Sequence, residues 1–272
     1  MKKSAPMVQL PLRVCGRRNA PPALLLHGFL GSSRDWLPVA RRLQAGHRCL
    51  LPDLPGHGRA HFPTRPELYS FTGAAEAVLA CATEPVHLVG YSLGGRLALQ
   101  LAARHPEKIL SLTLLSSSPG LPSAAGRAAR RRADDALATD LETRGLKAFL
   151  PSWYALALFG GLRRKPELFR RLLARRRQND AAALARALRG CSVGRQRSLW
   201  LQLPKLNMPV LLIAGRSDEK YVRLMRLMQR QIPGARFCVV PGAAHAVVEE
   251  QPARVARLLE KFWREGSGRK PI

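Results

Sequence analysis

Val86-His87-Leu88-Val89-Gly90-Tyr91-Ser92-Leu93-Gly94-Gly95-Arg96 reads as an apolar strand that runs into a glycine-flanked serine and then into the helical pattern of residues 93–105. The G-x-S-x-G spacing suits a sharp strand-to-helix turn, because glycines on both sides let strand and helix approach closely while the turn lifts the serine hydroxyl clear of the sheet. With 22 Gly and 15 Ser among 272 residues, the five-residue pattern arises by chance in roughly one such chain in ten, so its context decides. The strand before it, the helix after it and the additional Gly95 make Ser92 a candidate nucleophile rather than a bystander in a glycine-rich turn.

On either side of this motif, short apolar runs alternate with longer helical patterns. ALLLHGF (23–29), CLLPDL (49–54) and ILSLTLLSS (109–117) read as further strands, and MPVLLIAGRSD (208–218) and ARFCVVPGAAH (235–245) continue the series. Helices are expected at Asp35–Leu43, Thr72–Cys81, Lys220–Gln231 and Pro252–Trp263. This alternation is the pattern of an α/β fold with a mostly parallel central sheet buried on both faces. It is interrupted between Gly120 and about Trp200, where Ala, Leu and Arg recur at helical spacing and Pro151, Gly160-Gly161 and Pro166 mark breaks. The expected organisation is a core of residues 1–119 and 201–272 that carries an inserted helical cap over 120–200.

A nucleophilic serine needs a base and an acid, and in an elbow of this kind they follow in the order Ser, Asp, His. Asp218 comes after the apolar run VLLIAGRS and His245 after FCVV. Both therefore stand at the carboxyl ends of strands, the edge of an open parallel sheet at which ligands bind. The bland alternatives are a helix N-cap for Asp218 and a loop position for His245. An oxyanion hole would use the amide of Leu93, directly after the nucleophile, and that of Phe29 in the loop His27-Gly28-Phe29. Asp53 in LPDLPGHG reads as a structural turn residue, and the i,i+4 pair His57 and His61 as incidental rather than as metal ligands.

Hydrophobic residues are 46% of the chain and charged residues 23%, which excludes a wholly disordered protein. The charge is strongly one-sided. Forty-five basic residues, 36 of them Arg, stand against 18 acidic ones, giving a net charge of +27 and a pI near 11.5. Residues 120–200 alone hold 18 basic and 6 acidic side chains. Such a field attracts anions. Five scattered cysteines with no CxxC argue against a disulfide framework and a zinc site, and no metal or cofactor is expected. MKKSAPMVQLPLRVCGRR lacks the apolar core of a leader, and no window is apolar over a membrane span, so the expectation is a cytoplasmic monomer whose last residues, GSGRKPI, fray.

LLLHGF, LPDLPGHG, LVGYSLGG, LLIAGRSD and PGAAHA, in that order, resemble the α/β-hydrolase superfamily over nearly the whole chain. Within it, GYSLGGR, SPGLPSAAGRAARRR, SWY, RRQND, LRGCSVGRQRSLW and SDEKY resemble the family of 2-succinyl-6-hydroxy-2,4-cyclohexadiene-1-carboxylate synthase, of the menaquinone pathway. The resemblance implies a lyase. Ser92, made basic by His245 and Asp218, would remove a ring proton from a small-molecule polycarboxylate, and pyruvate would leave by elimination. It further implies that Arg96, Arg130 and Arg176 bind substrate carboxylates and that Tyr91, Trp153 and Tyr154 line the pocket. Arg127, Arg131, Arg132, Arg175 and Arg177 lie close enough in register to take the same roles. Ala243-Ala244 before His245 and the excess of Arg depart from the family pattern.

Arginine's planar fork suits carboxylates, and an esterase for apolar acyl groups would prefer an apolar cap. Two other readings stay open on the residues alone. A triad with an oxyanion hole serves a serine hydrolase on an ester or C–C bond equally well. The charge suggests a nucleic-acid-binding protein, against which stand the absence of any recognition motif and an aromatic content of 6%, so no specific nucleic-acid partner is expected.

Overall fold

The computed structural model describes residues 8–267. The apolar runs form β2 (Pro22–Leu26), β3 (Arg48–Pro52), β4 (Val86–Tyr91), β5 (Ile109–Leu115), β6 (Val210–Gly215) and β7 (Arg236–Val240), preceded by β1 (Leu12–Cys15). They make one sheet in the order β1-β3-β2-β4-β5-β6-β7. All neighbours pair in parallel except β1, which runs antiparallel to β3. β1 is the one strand not read from the sequence. It lies at the sheet edge and no residue of it is buried, so it lacks the apolar signature of the inner strands.

Alternate residues of each strand point to opposite faces. Leu24 and Leu26, with Leu88, Leu112 and Leu212, meet α2 (Phe71–Leu79), α3 (Leu93–Arg104) and α8 (Glu219–Gln231). Ala23 and Leu25, with Val89, Leu115 and Ile213, meet α1 (Leu37–Leu43) and α10 (Pro252–Ser267). The helix expected from Asp35 begins instead as a 3-10 turn over Ser33–Trp36, with Pro38 near the start of α1. The expected fraying tail is helical through Ser267; residues 268–272, like the N-terminal lysines, lie outside the described residues.

The helical insertion follows β5. It comprises α4 (Ala124–Ala155), α5 (Gly160–Arg163), α6 (Pro166–Arg176) and α7 (Ala181–Gly190). Pro151 does not break α4. The interruption is at Gly145, whose φ of 69° only glycine adopts readily. Leu141, Phe149, Leu150, Leu172, Leu184 and Leu188 form a separate apolar cluster that closes over Leu30 and Ala246 of the core. α4 and α7 are further joined by Arg189 with Glu142 at 2.6 Å, and Arg195, just past α7, reaches Asp135 at 2.7 Å. Two of the insertion's arginines are thus paired between its own segments. No helix among the described residues is long and apolar enough to cross a membrane.

α3 approaches the sheet through glycine. A Cβ on Gly94 would lie 2.4 Å from the Leu26 carbonyl oxygen and 2.6 Å from that of His27, both rigid backbone. Gly94→Ala should therefore destabilise the protein by about 3 kcal/mol, the upper end of overpacking costs. Gly46→Ala, at a position with nothing within 4 Å, should stay within about 0.5 kcal/mol of the parent. Urea unfolding midpoints at constant slope measure both.

Candidate active site

Ser92 stands between β4 and α3 with φ 51° and ψ −109°. A β-carbon rarely tolerates this region, and such strain at a non-glycine residue is held only where the surroundings fix it. The Ser92 amide donates to Leu115 O at 2.9 Å, Gly94 N to His27 O at 3.1 Å, and Ser117 Oγ to Ser92 O at 3.2 Å. Gly90 lies so close to Gly94 and Gly95 that a Cβ would come within 2.4–2.5 Å of their backbone. Ser92 thus turns out of the sheet, and its Oγ lies 3.2 Å from His245 Nε2.

His245 and Asp218 are both buried, and His245 Nδ1 lies 2.8 Å from Asp218 Oδ2. A carboxylate oxygen accepts here, so Nδ1 carries the proton and Nε2 faces the serine as acceptor. Asp218 precedes α8 at the N-cap position but caps no helix amide, so its side chain is committed to His245. Ala243 and Ala244 pass so close to Gly215 that a Cβ there would lie 2.1 Å from Ala244 O. Three strand ends thereby bring together residues far apart in sequence.

The loop after β2 is fixed by a second buried histidine. Leu54 N donates to His27 Nε2 at 3.0 Å, which leaves the proton on Nδ1 to donate to Gly28 O at 2.8 Å. Burial lowers the His27 pKa, which favours this neutral form. Asp53, as read from the sequence, is structural: its oxygens accept from Ser33 N at 2.7 Å and Arg59 N at 3.1 Å. A Cβ on Gly28 would lie 3.4 Å from Ser92 Cβ, so this backbone passes directly beside Ser92. Phe29 faces the cavity and Leu93 opens α3. His57 and His61 turn to the carbonyls of Pro55 and Gly58, and no His, Cys, Asp and Glu cluster suited to a metal occurs among the described residues.

The triad opens into a cavity lined from the core by Phe29, Tyr91 and Tyr221 and from the insertion by Arg130, Trp153 and Tyr154. Phe29 and Trp153 meet edge to face at 5.2 Å, and Tyr221 lies 4.8 Å from His245. Of the three arginines singled out in the sequence, Arg130 lines the cavity, with Nε 2.8 Å from the buried Asp134. Arg176 lines it too, but Nε donates to Tyr154 Oη at 3.1 Å, Nη1 to Asp35 Oδ2 at 2.7 Å and Nη2 to Glu249 Oε1 at 3.0 Å. Burial opposes its charge, while Asp35, Tyr154 and Glu249 raise its pKa and hold it protonated. Arg96 is not among the lining residues. It is half-buried behind them, bonded to Cys191 O at 2.8 Å and Gln196 Oε1 at 3.2 Å, and burial lowers its pKa.

Lys220, Tyr221 and Glu249 line the same cavity and were not singled out in the sequence. Lys220 is exposed, has no carboxylate partner among the described residues, and sits 5.6 Å from the Tyr221 ring. Their signal was proximity: two residues after Asp218, three after it, and four after His245 in the short helix that follows it.

The family model described as alpha/beta hydrolase fold matches residues 21–252. A Bacillus subtilis (strain 168) protein named as a putative 2-succinyl-6-hydroxy-2,4-cyclohexadiene-1-carboxylate synthase is 35% identical over 250 residues, covering 90% of this chain and 91% of that protein. Protein PHYLLO, chloroplastic, of Arabidopsis thaliana is 33% identical over 88% of this chain, which spans 15% of that longer protein. The solved structure of MenH from S. aureus superposes with a TM-score of 0.89 at 27% identity, covering 96% of this chain and all of that one.

A serine-directed fluorophosphonate should label Ser92 alone among the serines, as read by peptide mass spectrometry. Ser92→Ala should abolish labelling, and His245→Ala should slow it by roughly 10²–10⁴-fold, the usual worth of a positioned general base.

Proposed function

The chain belongs to the α/β-hydrolase fold family, and we propose that within this fold its triad drives an elimination rather than a hydrolysis: it is a carbon–oxygen lyase that releases pyruvate from a succinyl-cyclohexene carboxylate carrying an enolpyruvyl ether, and yields 2-succinyl-6-hydroxy-2,4-cyclohexadiene-1-carboxylate. The observation that carries this reading is the meeting of the Ser92–His245–Asp218 relay with cationic side chains, Arg130 and Lys220, in one cavity. Relatives named for this synthase support it.

In this reading Asp218 orients His245, and His245 draws the proton from Ser92 Oγ as the oxygen removes a ring C–H proton. The C–H electron pair becomes a ring C=C bond, the C–O bond to the enolpyruvyl group breaks, and its electrons leave on the enolate oxygen. Protonation of that enolate at carbon gives pyruvate. The amides of Phe29 and Leu93 would hold negative charge that develops on a substrate carbonyl oxygen. Tyr91, Trp153 and Tyr154 would wall the ring, with residues 120–200 acting as the cap. Arg130 would bind a carboxylate, Lys220 adding a cation, Arg176 would contribute chiefly its charge, and Arg96 would reach a carboxylate by turning from Cys191 O and Gln196 Oε1 toward the cavity. No step needs a metal, a cofactor or an acyl-enzyme.

Incubation with the enolpyruvyl-bearing ring precursor, with pyruvate followed by a coupled dehydrogenase, tests the reading directly. Pyruvate release without a mass increment on Ser92 is the expected result. Accumulation of an acyl-serine with an activated ester, and no pyruvate, would favour the hydrolase. Ser92→Ala should cost orders of magnitude in kcat, and adding His245→Ala should cost little more, because the two act as one unit.

Arg96→Ala and Arg130→Ala should each lower kcat/KM for this precursor by about 30-fold or more, the cost of stripping one partner from a desolvated charge pair. Arg→Lys should recover only part, since the charge stays but the fork is lost. Arg132→Ala, on an exposed face, should remain within about twofold of the parent. Arg176→Ala should additionally lower stability by about 3–5 kcal/mol, because it leaves buried Asp35 and Glu249 without their shared cation.

A further inference from the structure

Glu249 is a buried acid that the reaction above does not use. It lies in α9 (Val247–Glu250), one turn after His245, and lines the cavity into which Ser92 and His245 open. Its Oε1 accepts from Arg176 Nη2 at 3.0 Å, whereas its Oε2 is buried with no hydrogen-bond partner among the described residues. A buried carboxylate oxygen left unpaired is costly, and such an exception asks for a reason.

The charges around it supply one. Asp35 and Glu249 share the single guanidinium of Arg176, so the buried group of three would carry a net negative charge if both acids were ionised. Asp35 has the better claim to the charge. It takes Arg176 Nη1 on both oxygens at 2.7 and 2.9 Å, the Ser32 amide at 3.2 Å and Arg175 at 3.3 Å. The other groups acting on Glu249 are the Arg175 guanidinium, which favours its ionised form, and the phenols of Tyr91 and Tyr154, whose pKa values burial raises, so both stay neutral. Adjacent Glu250 is held separately by Lys165 at 3.2 Å and the Ala244 amide at 2.9 Å. His245 shares the cavity.

We propose that Glu249 is a substrate-recognition residue: kept as a neutral carboxylic acid between Arg176 and Asp35, it turns Oε2, covered in this structure, toward the cavity that its side chain lines and donates a hydrogen bond to an anionic oxygen of the bound polycarboxylate. The inference rests on the reading of the cavity as a polycarboxylate site. Burial, reinforced by Asp35 and opposed by Arg176 and Arg175, raises the Glu249 pKa to about 7. An ionised Glu249 would repel the ligand, whereas a protonated one extends the positive reach of Arg176, each of whose nitrogens already donates to a protein acceptor. Glu249 thereby gives the cavity a hydrogen-bond donor that is present below about pH 7 and lost above it.

Three measurements test this. Tricarballylate, a small tricarboxylate, serves as the probe in calorimetry at pH 6 and pH 8. The wild-type Kd should rise about tenfold across this interval beyond any rise in E249Q, as expected for a required proton that titrates near 7. Gln keeps an acceptor for Arg176 and a permanent donor, so E249Q should bind more tightly than wild type at pH 8; His245 is common to both proteins and cancels. E249L, checked for folding by circular dichroism and melting, should bind at least about tenfold more weakly than wild type at pH 6, the loss of one hydrogen-bonded contact. Carbon-13 spectra of carboxyl-labelled glutamate in the free protein should show one resonance, absent from E249Q, that titrates near pH 7. An identical pH dependence in E249Q, undiminished binding by E249L at pH 6, or a Glu249 resonance already ionised at pH 5 would overturn the proposal. Pyruvate release with any of these failures removes the Glu249 role alone. All three as expected, without pyruvate release, would remove the elimination reading and leave Glu249 in place.

Discussion

Ser92 can hold φ 51° because glycine leaves no side chain in the way where the first turn of α3 meets the strand ends. Gly90, Gly94 and Gly95 bring backbone against backbone, and a left-handed non-glycine residue at their centre costs on the order of 1–3 kcal/mol. That cost is met by the buried apolar face of α3 against β4 and β5 and by the hydrogen bonds that pin the elbow to Leu115 and His27. The same close approach puts the Gly28 loop beside the nucleophile. Relaxing the turn would separate Ser92 from His245 and from that loop together, so backbone packing and the geometry of the relay are one constraint.

The buried histidines follow from proton accounting. Leu54 N can only donate and Gly28 O can only accept, so His27 has one possible tautomer and becomes a fixed strut between two loops. His245 is set in the same way by Asp218, and its other nitrogen is left for the serine. One imidazole is thus spent on shape and one on chemistry, and only the three-dimensional partners distinguish them.

Charge in the insertion divides similarly. Arg189 and Arg195 bind helix to helix through Glu142 and Asp135 at partly exposed positions, where each pair is worth little individually but the set orients the segments. Arg176 is different because it is buried with two acids. Burying an ion pair together with a third ionisable group is tolerable only with nearly complete pairing or neutralisation. That is why the arginine that the sequence offers as a free ligand is already engaged.

The sequence by itself determined the α/β alternation, the elbow at Ser92, the order Ser, Asp, His and the helical character of the insertion. Each of these is written in local periodicity or in a short motif whose residue types have few other uses. It did not reveal β1, whose edge position leaves no apolar signature, or the interruption at Gly145 in place of Pro151, because a positive φ leaves no mark on composition. Tertiary structure alone decided which arginines face the cavity. Arg96, Arg130 and Arg176 look alike in sequence, and their roles diverge because Cys191 and Gln196, Asp134, and Asp35 with Glu249 are brought to them from distant segments or across a helical turn. A charged side chain's function depends on what neutralises it, and that is a property of the fold.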